Sequence, residues 1–156
     1  MRILFGLLTA GMLALPGTAI SQETINLTVA SSHPTVVPWV GMIKTHFMAR
    51  TDEILAETGN YKIEWNEAFG GQLYKANATL SSVEEGITDI GWVFSFLEAA
   101  KLPLSQASSY APFATANPPV QLEVMQKLME TNDAFRAEWE QHNLKVLGLT
   151  GTDMYD

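Results

Sequence analysis

Ile25-Asn26-Leu27-Thr28-Val29-Ala30, running into Ser31-Ser32-His33-Pro34, sets the reading of the whole chain. Apolar and polar residues alternate in a β-favouring composition, which predicts a strand ended by the Ser-Ser-His-Pro run. Downstream, Val40, Ile43, Phe47, Ile54 and Leu55 recur at helical spacing, with Lys44, Arg50, Asp52 and Glu57 on the other side. That pattern predicts a long amphipathic helix, stopped by Thr58-Gly59-Asn60. Residues 61–66 are again strand-like. Phe69-Gly70-Gly71-Gln72-Leu73 forms a glycine loop, and residues 77–85 carry Leu80 and Val83 into a short helix ending at Gly86. A third strand is predicted over residues 88–94, followed by a mixed stretch over 97–113. Pro118-Pro119 opens a helix with Val120, Val124, Leu128 and Met129 on one face, and residues 135–142 are expected to continue it. Residues 144–149 are the predicted fourth strand.

Strands alternating with helices imply an α/β fold, a mostly parallel sheet flanked by helices. Ligands of such sheets usually bind beyond the carboxyl ends of the strands. Those ends fall at residues 31–34, 67–73, 94–97 and 150–156. A sheet whose last strand emerges with no closing helix reads as a piece of something larger.

Upstream of the first strand, Met1-Arg2 precedes an almost unbroken apolar run over residues 3–15, and Pro16-Gly17-Thr18-Ala19-Ile20-Ser21 supplies a break and small residues. This is the layout of a secretory signal peptide covering residues 1–21, with cleavage after Ala19 or Ser21. The run is short of the roughly 20 apolar residues that span a bilayer. The processed chain is expected in the periplasm, not inserted in the membrane. The 156 residues leave room for one domain with a proper core. A formal charge of −8 argues against a nucleic-acid partner, because a phosphate-binding surface needs clustered Lys and Arg. With no cysteine, the chain has no disulfide, thiolate nucleophile or cysteine-ligated metal.

The ordered set of Ser-Ser-His-Pro, a Pro-Trp-Val-Gly helix start at 38–41, Phe-Gly-Gly-Gln-Leu at 69–73 and Glu-Glu-Gly-Ile-Thr-Asp-Ile-Gly at 84–91 carries a resemblance. With Tyr-Ala-Pro-Phe at 110–113 and Leu-Lys-Val-Leu-Gly at 144–148, the chain resembles the substrate-binding subunit of tripartite ATP-independent periplasmic (TRAP) transporters. The resemblance implies a two-lobed periplasmic-binding-protein fold with the ligand trapped between lobes. Residues 22–149 are then the first α/β lobe, and residues 150–156 begin the crossover to a second lobe beyond this chain. It further implies capture of a small organic acid anion for the membrane subunits of a TRAP transporter, with no cofactor and no chemistry performed on the ligand. The family's decisive group is an arginine of the second lobe pairing with a substrate carboxylate, a bidentate contact. Arg2, Arg50 and Arg136 are not placed to substitute, so this chain alone is expected to bind ligand weakly or not at all.

On this resemblance the candidate binding residues are Ser32, His33, Trp39, Gln72, Phe94, Ser95, Phe96 and Tyr155. Ser32 and His33 fall in the first pocket loop, His33 as a pocket donor or as a turn histidine. Trp39 either roofs the ligand or packs on the sheet. Ser95 offers a hydroxyl, and Phe94 and Phe96 an apolar wall that hints at a substrate with an apolar or aromatic body, although alternate strand residues face opposite ways. Gln72 shapes the glycine loop or touches the ligand, and Tyr155 offers a hydrogen bond near the chain end. The final segment is acidic where relatives often carry an arginine or a polar residue, which departs from a simple dicarboxylate binder. Asp153 and Asp156 read as solvated rather than as a metal site.

No Gly-x-Ser-x-Gly elbow occurs, and neither His46 nor His142 has a paired acid at metal-binding spacing, so no catalytic machinery is visible. Glu84-Glu85 and Glu138 with Glu140 read as solvated faces. Met125, Met129 and Trp139 read as core rather than as a protein-binding face. The alternatives are the first lobe of an ABC-type solute-binding protein, which lacks the Gly-Gly-Gln-Leu and Tyr-Ala-Pro-Phe landmarks, and a secreted α/β hydrolase-like enzyme.

Overall fold

A computed structural model describes residues 22–111 and 115–150. Residues 1–21 (the predicted signal peptide), part of Tyr-Ala-Pro-Phe, and the end of the chain with Tyr155, Asp153 and Asp156 lie outside the described residues.

The alternation at the start of the chain forms β1 (Glu23–Ala30), and Tyr61–Ala68 forms β2. They pair in parallel along their whole length, with Ile25 opposite Ile63, Leu27 opposite Trp65 and Ala30 opposite Ala68. The connection is a continuous helical segment: α1 (Pro38–Met42), a π-helical stretch (Ile43–Met48) and α2 (Ala49–Thr58). Proline opens it, where a missing N–H costs nothing. Its apolar side buries Val40, Ile43 and Met48 against Val29, with Trp39, Phe47, Trp65, Ile90 and Trp92 packed around them. A Lys44–Glu67 ion pair at 2.7 Å and a bond from Trp65 Nε1 to Asp52 at 3.0 Å tie the helix to β2 at the solvent edge.

The opposite face of the sheet buries Ala30, Ala68 and Tyr74 beneath a 3-10 turn (Ala76–Ala78) and α3 (Thr79–Glu84). β3 (Ile90–Gly91) completes an open parallel sheet in the order β2-β1-β3. Gly91 lets α3 approach closely: a Cβ there would lie 2.6 Å from Val83 Cγ2 and 3.1 Å from the Tyr74 hydroxyl. The fold is therefore α/β, with helices on both faces of a small parallel sheet.

Three expectations are corrected. The third strand pairs over two residues rather than seven. The Asp89 carboxylate accepts the Thr28 N–H at 2.7 Å on one side, and β1 ends at Ala30 on the other, so the ladder has no partner to continue with. The helix opened by Pro118 stops as α4 (Pro118–Thr131), and a separate α5 (Asp133–Glu140) follows. Asn132 is extended, and its side-chain oxygen accepts the Ala134 N–H at 3.0 Å, an N-cap that restarts the helix. Residues 144–149 form no ladder. Leu144 and Val146 do pack on the buried cluster of Leu80, Leu102 and Trp139, while Leu147 is exposed, so the alternation survives without a neighbouring strand.

Glu138 is also not solvated. It is buried, accepts the Leu104 N–H, and takes the Ser105 N–H at 2.9 Å and the Ser105 hydroxyl at 2.6 Å. Its carboxylate thereby satisfies the otherwise orphaned donors that open the 3-10 segment Leu104–Tyr110. Among the described residues no helix is long and apolar enough to cross a membrane.

Candidate functional site

The carboxyl ends of β1 and β2 are bound into one loop pair. Ser31 is buried and donates its N–H to Ala68 O at 3.3 Å; Gly71 N–H reaches Ser31 O at 2.9 Å, and Gly70 N–H reaches His33 O at 3.0 Å. Gly70 and Gly71 have φ of 77° and 75°, left-handed conformations that L side chains seldom adopt, and a Cβ on Gly71 would press to 3.2 Å from the Ser32 carbonyl. Beneath the loops, the Tyr74 hydroxyl donates to Ala30 O at 2.7 Å. Burial pushes that phenol above its usual range, so it remains a neutral donor.

His33 projects from this base. Its N–H donates to Ser31 Oγ at 3.2 Å, and its Nδ1 lies 2.9 Å from Ser32 Oγ. In the tautomer whose Nδ1 accepts the serine hydroxyl, Nε2 carries the ring proton and is a donor; in the other, Nδ1 donates to Ser32 Oγ and Nε2 is an acceptor. The His33 ring meets Phe94 edge to face at 5.3 Å between centroids, and Phe94 meets Phe96 at 5.6 Å and Trp92 at 6.4 Å. Phe96 stands on the 3-10 turn Ser95–Glu98 and is 61% exposed.

The structure thus brings Ser32, His33, Phe94 and Phe96 together where β1 and β3 end. Ser95 turns its hydroxyl toward the Ser105 carbonyl at 3.5 Å. Gln72 is exposed on the glycine loop and makes no hydrogen bond among the described residues. Trp39 packs into the core around Val29 and Val40 and is not part of the His33–Phe94–Phe96 chain of rings. Its buried Nε1 has no partner among the described residues. Tyr155 lies outside them.

Two residues that sequence reasoning passed over belong to the site. Tyr74 props the loop; no periodicity marks it, because its role arises only where the loop crosses β1. Lys75 places its ammonium over the glycine loop, 3.4 Å from where a Gly71 Cβ would lie, and forms no ion pair among the described residues. A lysine just after a glycine loop at a strand end is a signal that could have been read. The two described arginines are engaged on their helices: Arg50 pairs with Glu53 at 2.8 Å, and Arg136 donates to Glu130 O at 2.7 Å at the end of α4.

Two concavities lie elsewhere. An apolar groove of about 660 Å³ runs between Trp39, Phe47 and Ile54 on one wall and Ile90, Trp92 and Leu147 on the other. A second of about 630 Å³ borders residues 144–149, with Met129, Arg136 and Trp139. No group of three metal-ligating side chains occurs among the described residues.

Chemically, the strand-end cluster offers an imidazole donor, a hydroxyl, one ammonium and flat apolar rings. That combination suits a small anion with an apolar body. The Ser32–His33 contact joins a hydroxyl to an imidazole, but no carboxylate hydrogen-bonds the His33 ring among the described residues to orient it as a base. No protein-family model matches this chain, and a search of curated proteins finds no match to it.

Proposed function

We propose that this chain is the first lobe of a periplasmic solute-binding protein of the TRAP type, capturing a small organic acid anion for membrane transporter subunits. The observation that carries the reading is the assembly of His33, Ser32 and Lys75 around the glycine loop at the carboxyl ends of a parallel sheet. Donors at strand ends are what a lobe contributes to a clamp, and closure by a second lobe strengthens each of them by excluding water. The mechanism is binding only: the donors hold a carboxylate and a second lobe completes the enclosure.

A single lobe holds half of the contacts. Binding by this chain is therefore expected near 1 mM, about 4 kcal/mol. Amide and aromatic NMR shifts on titration with acetate or succinate test it. Shifts centred on His33, Gly70, Gly71 and Lys75, lost in Lys75→Gln, support the reading; no shifts there at 50-fold over about 1 mM sink it. If the reading frame continues past Asp156, its longer product is expected to bind much more tightly. A longer product binding no better than this chain overturns the clamp.

A further inference from the structure

Resting on that solute-binding reading, we infer that the acid taken at this site carries a flat aromatic body and presents one carboxylate to this lobe. Two features of the cluster carry the inference. Phe94 is fixed by three neighbouring rings, His33, Trp92 and Phe96, each meeting it edge to face within 6.4 Å. A side chain held on three sides is a rigid platform that loses little freedom when a ligand docks. Phe96, the next ring along, is 61% exposed, although burial of a phenylalanine is strongly favourable. Its free surface adjoins a ring that already makes edge-to-face contacts, and a planar π-system extends such a chain of rings with a geometry an aliphatic chain lacks.

The polar half is correspondingly small. Among the described residues, and with Nδ1 accepting from Ser32, His33 Nε2 is one donor and Lys75 Nζ one cation, while Arg50 and Arg136 are engaged with Glu53 and with the end of α4. One carboxylate matches that supply. A second carboxylate would lie against phenylalanine edges, where it has no donor and its desolvation is uncompensated. The ligand's acid group therefore lies at His33 and the glycine loop, and its ring lies along Phe94 and Phe96.

The test is an NMR titration of the chain in its secreted form with benzoate, acetate, succinate and benzyl alcohol in parallel, repeated with Phe96→Ala. Phe96 is exposed, so its removal is expected to leave the strands and helices folded, which unchanged amide shifts away from Phe94 verify. Benzoate is expected to bind at least tenfold more tightly than acetate or succinate, shifting His33, Phe94 and Phe96 together, and Phe96→Ala is expected to erase that preference. Benzyl alcohol is expected to bind at least tenfold more weakly than benzoate. Acetate or succinate binding at the same residues as tightly as benzoate overturns the aromatic class and leaves the carboxylate reading standing. Benzyl alcohol matching benzoate overturns the pairing of ring with carboxylate. Benzoate shifts confined to the Trp39–Ile54 groove overturn the location. No response at His33 or Lys75 to any carboxylate overturns the solute-binding reading itself.

Discussion

Residues 23–91 and the described part of residues 92–150 are held by different bonds. In the first, two eight-residue strands share an unbroken parallel register, and one long helical segment lies across them on an apolar stripe. Each bond of that ladder repeats its neighbour, so the loss of one leaves the rest in place. In the second, no ladder exists among the described residues. Leu102 and Trp139 cluster with Leu80 of the first region, and the chain around them is fixed by single side chains: Glu138 holding the backbone at Leu104 and Ser105, Asn132 capping α5, and Arg136 closing α4. The difference teaches that a backbone ladder tolerates local error, whereas a region built on individual caps depends on each one.

The sharpest way to break this comparison is Leu80→Ala. Leu80 is fully buried at the seam between α3 and the second region, and its truncation is expected to cost about 2–5 kcal/mol by denaturant melts. Amide exchange sharpens the result: protection at 104–106 should fall more than protection along β1 and β2. Equal loss in both would show one cooperative unit and dissolve the distinction. Next in size, Glu138→Gln leaves three donors sharing fewer acceptor sites and is expected to cost about 1–3 kcal/mol, with exchange faster at Leu104 and Ser105. Unchanged stability there would mean that the cap is not what orders the second region.

Tyr74→Phe probes the first region by removing one bond to Ala30 while keeping the ring. A loss of about 0.5–1.5 kcal/mol is expected, with the β1–β2 ladder still protected. The smallest effect concerns pH. The His142 hydrogen bond, aided by the charges of His142 and Lys101, holds the Glu84 carboxyl below its usual 4.5. A depressed folded value contributes stability that is present above the unfolded value and is lost as pH falls through the folded one. Melts from pH 6 down to about pH 3 should therefore be slightly less steep with pH in Glu84→Gln than in the wild type. Because Glu84 is exposed, identical slopes would assign the acid sensitivity to other carboxylates.

The elements whose pattern repeats were readable from the residues alone. The 25–30 alternation, the helical spacing from Val40 to Leu55 and the Phe-Gly-Gly-Gln-Leu loop were all legible, because side-chain period and glycine punctuation are local properties of the backbone. The sequence also placed His33 just beyond the first strand, whereas Phe94, expected to end the third strand, lies past β3, which stops at Gly91. Only the tertiary structure decided that β3 would pair over two residues, since ladder length depends on where β1 turns away and on Asp89 claiming the Thr28 amide. The same holds for residues 144–149, whose alternation is that of a strand but which have no ladder partner. Glu138 read as solvated because a glutamate near a second glutamate usually is; its burial required Leu104 and Ser105 to arrive from over thirty residues away. Tyr74 entered the site for that same reason, through its hydroxyl bond to Ala30. A hydrogen bond between distant segments leaves no period in the sequence, and its partners become visible only when the fold brings them together.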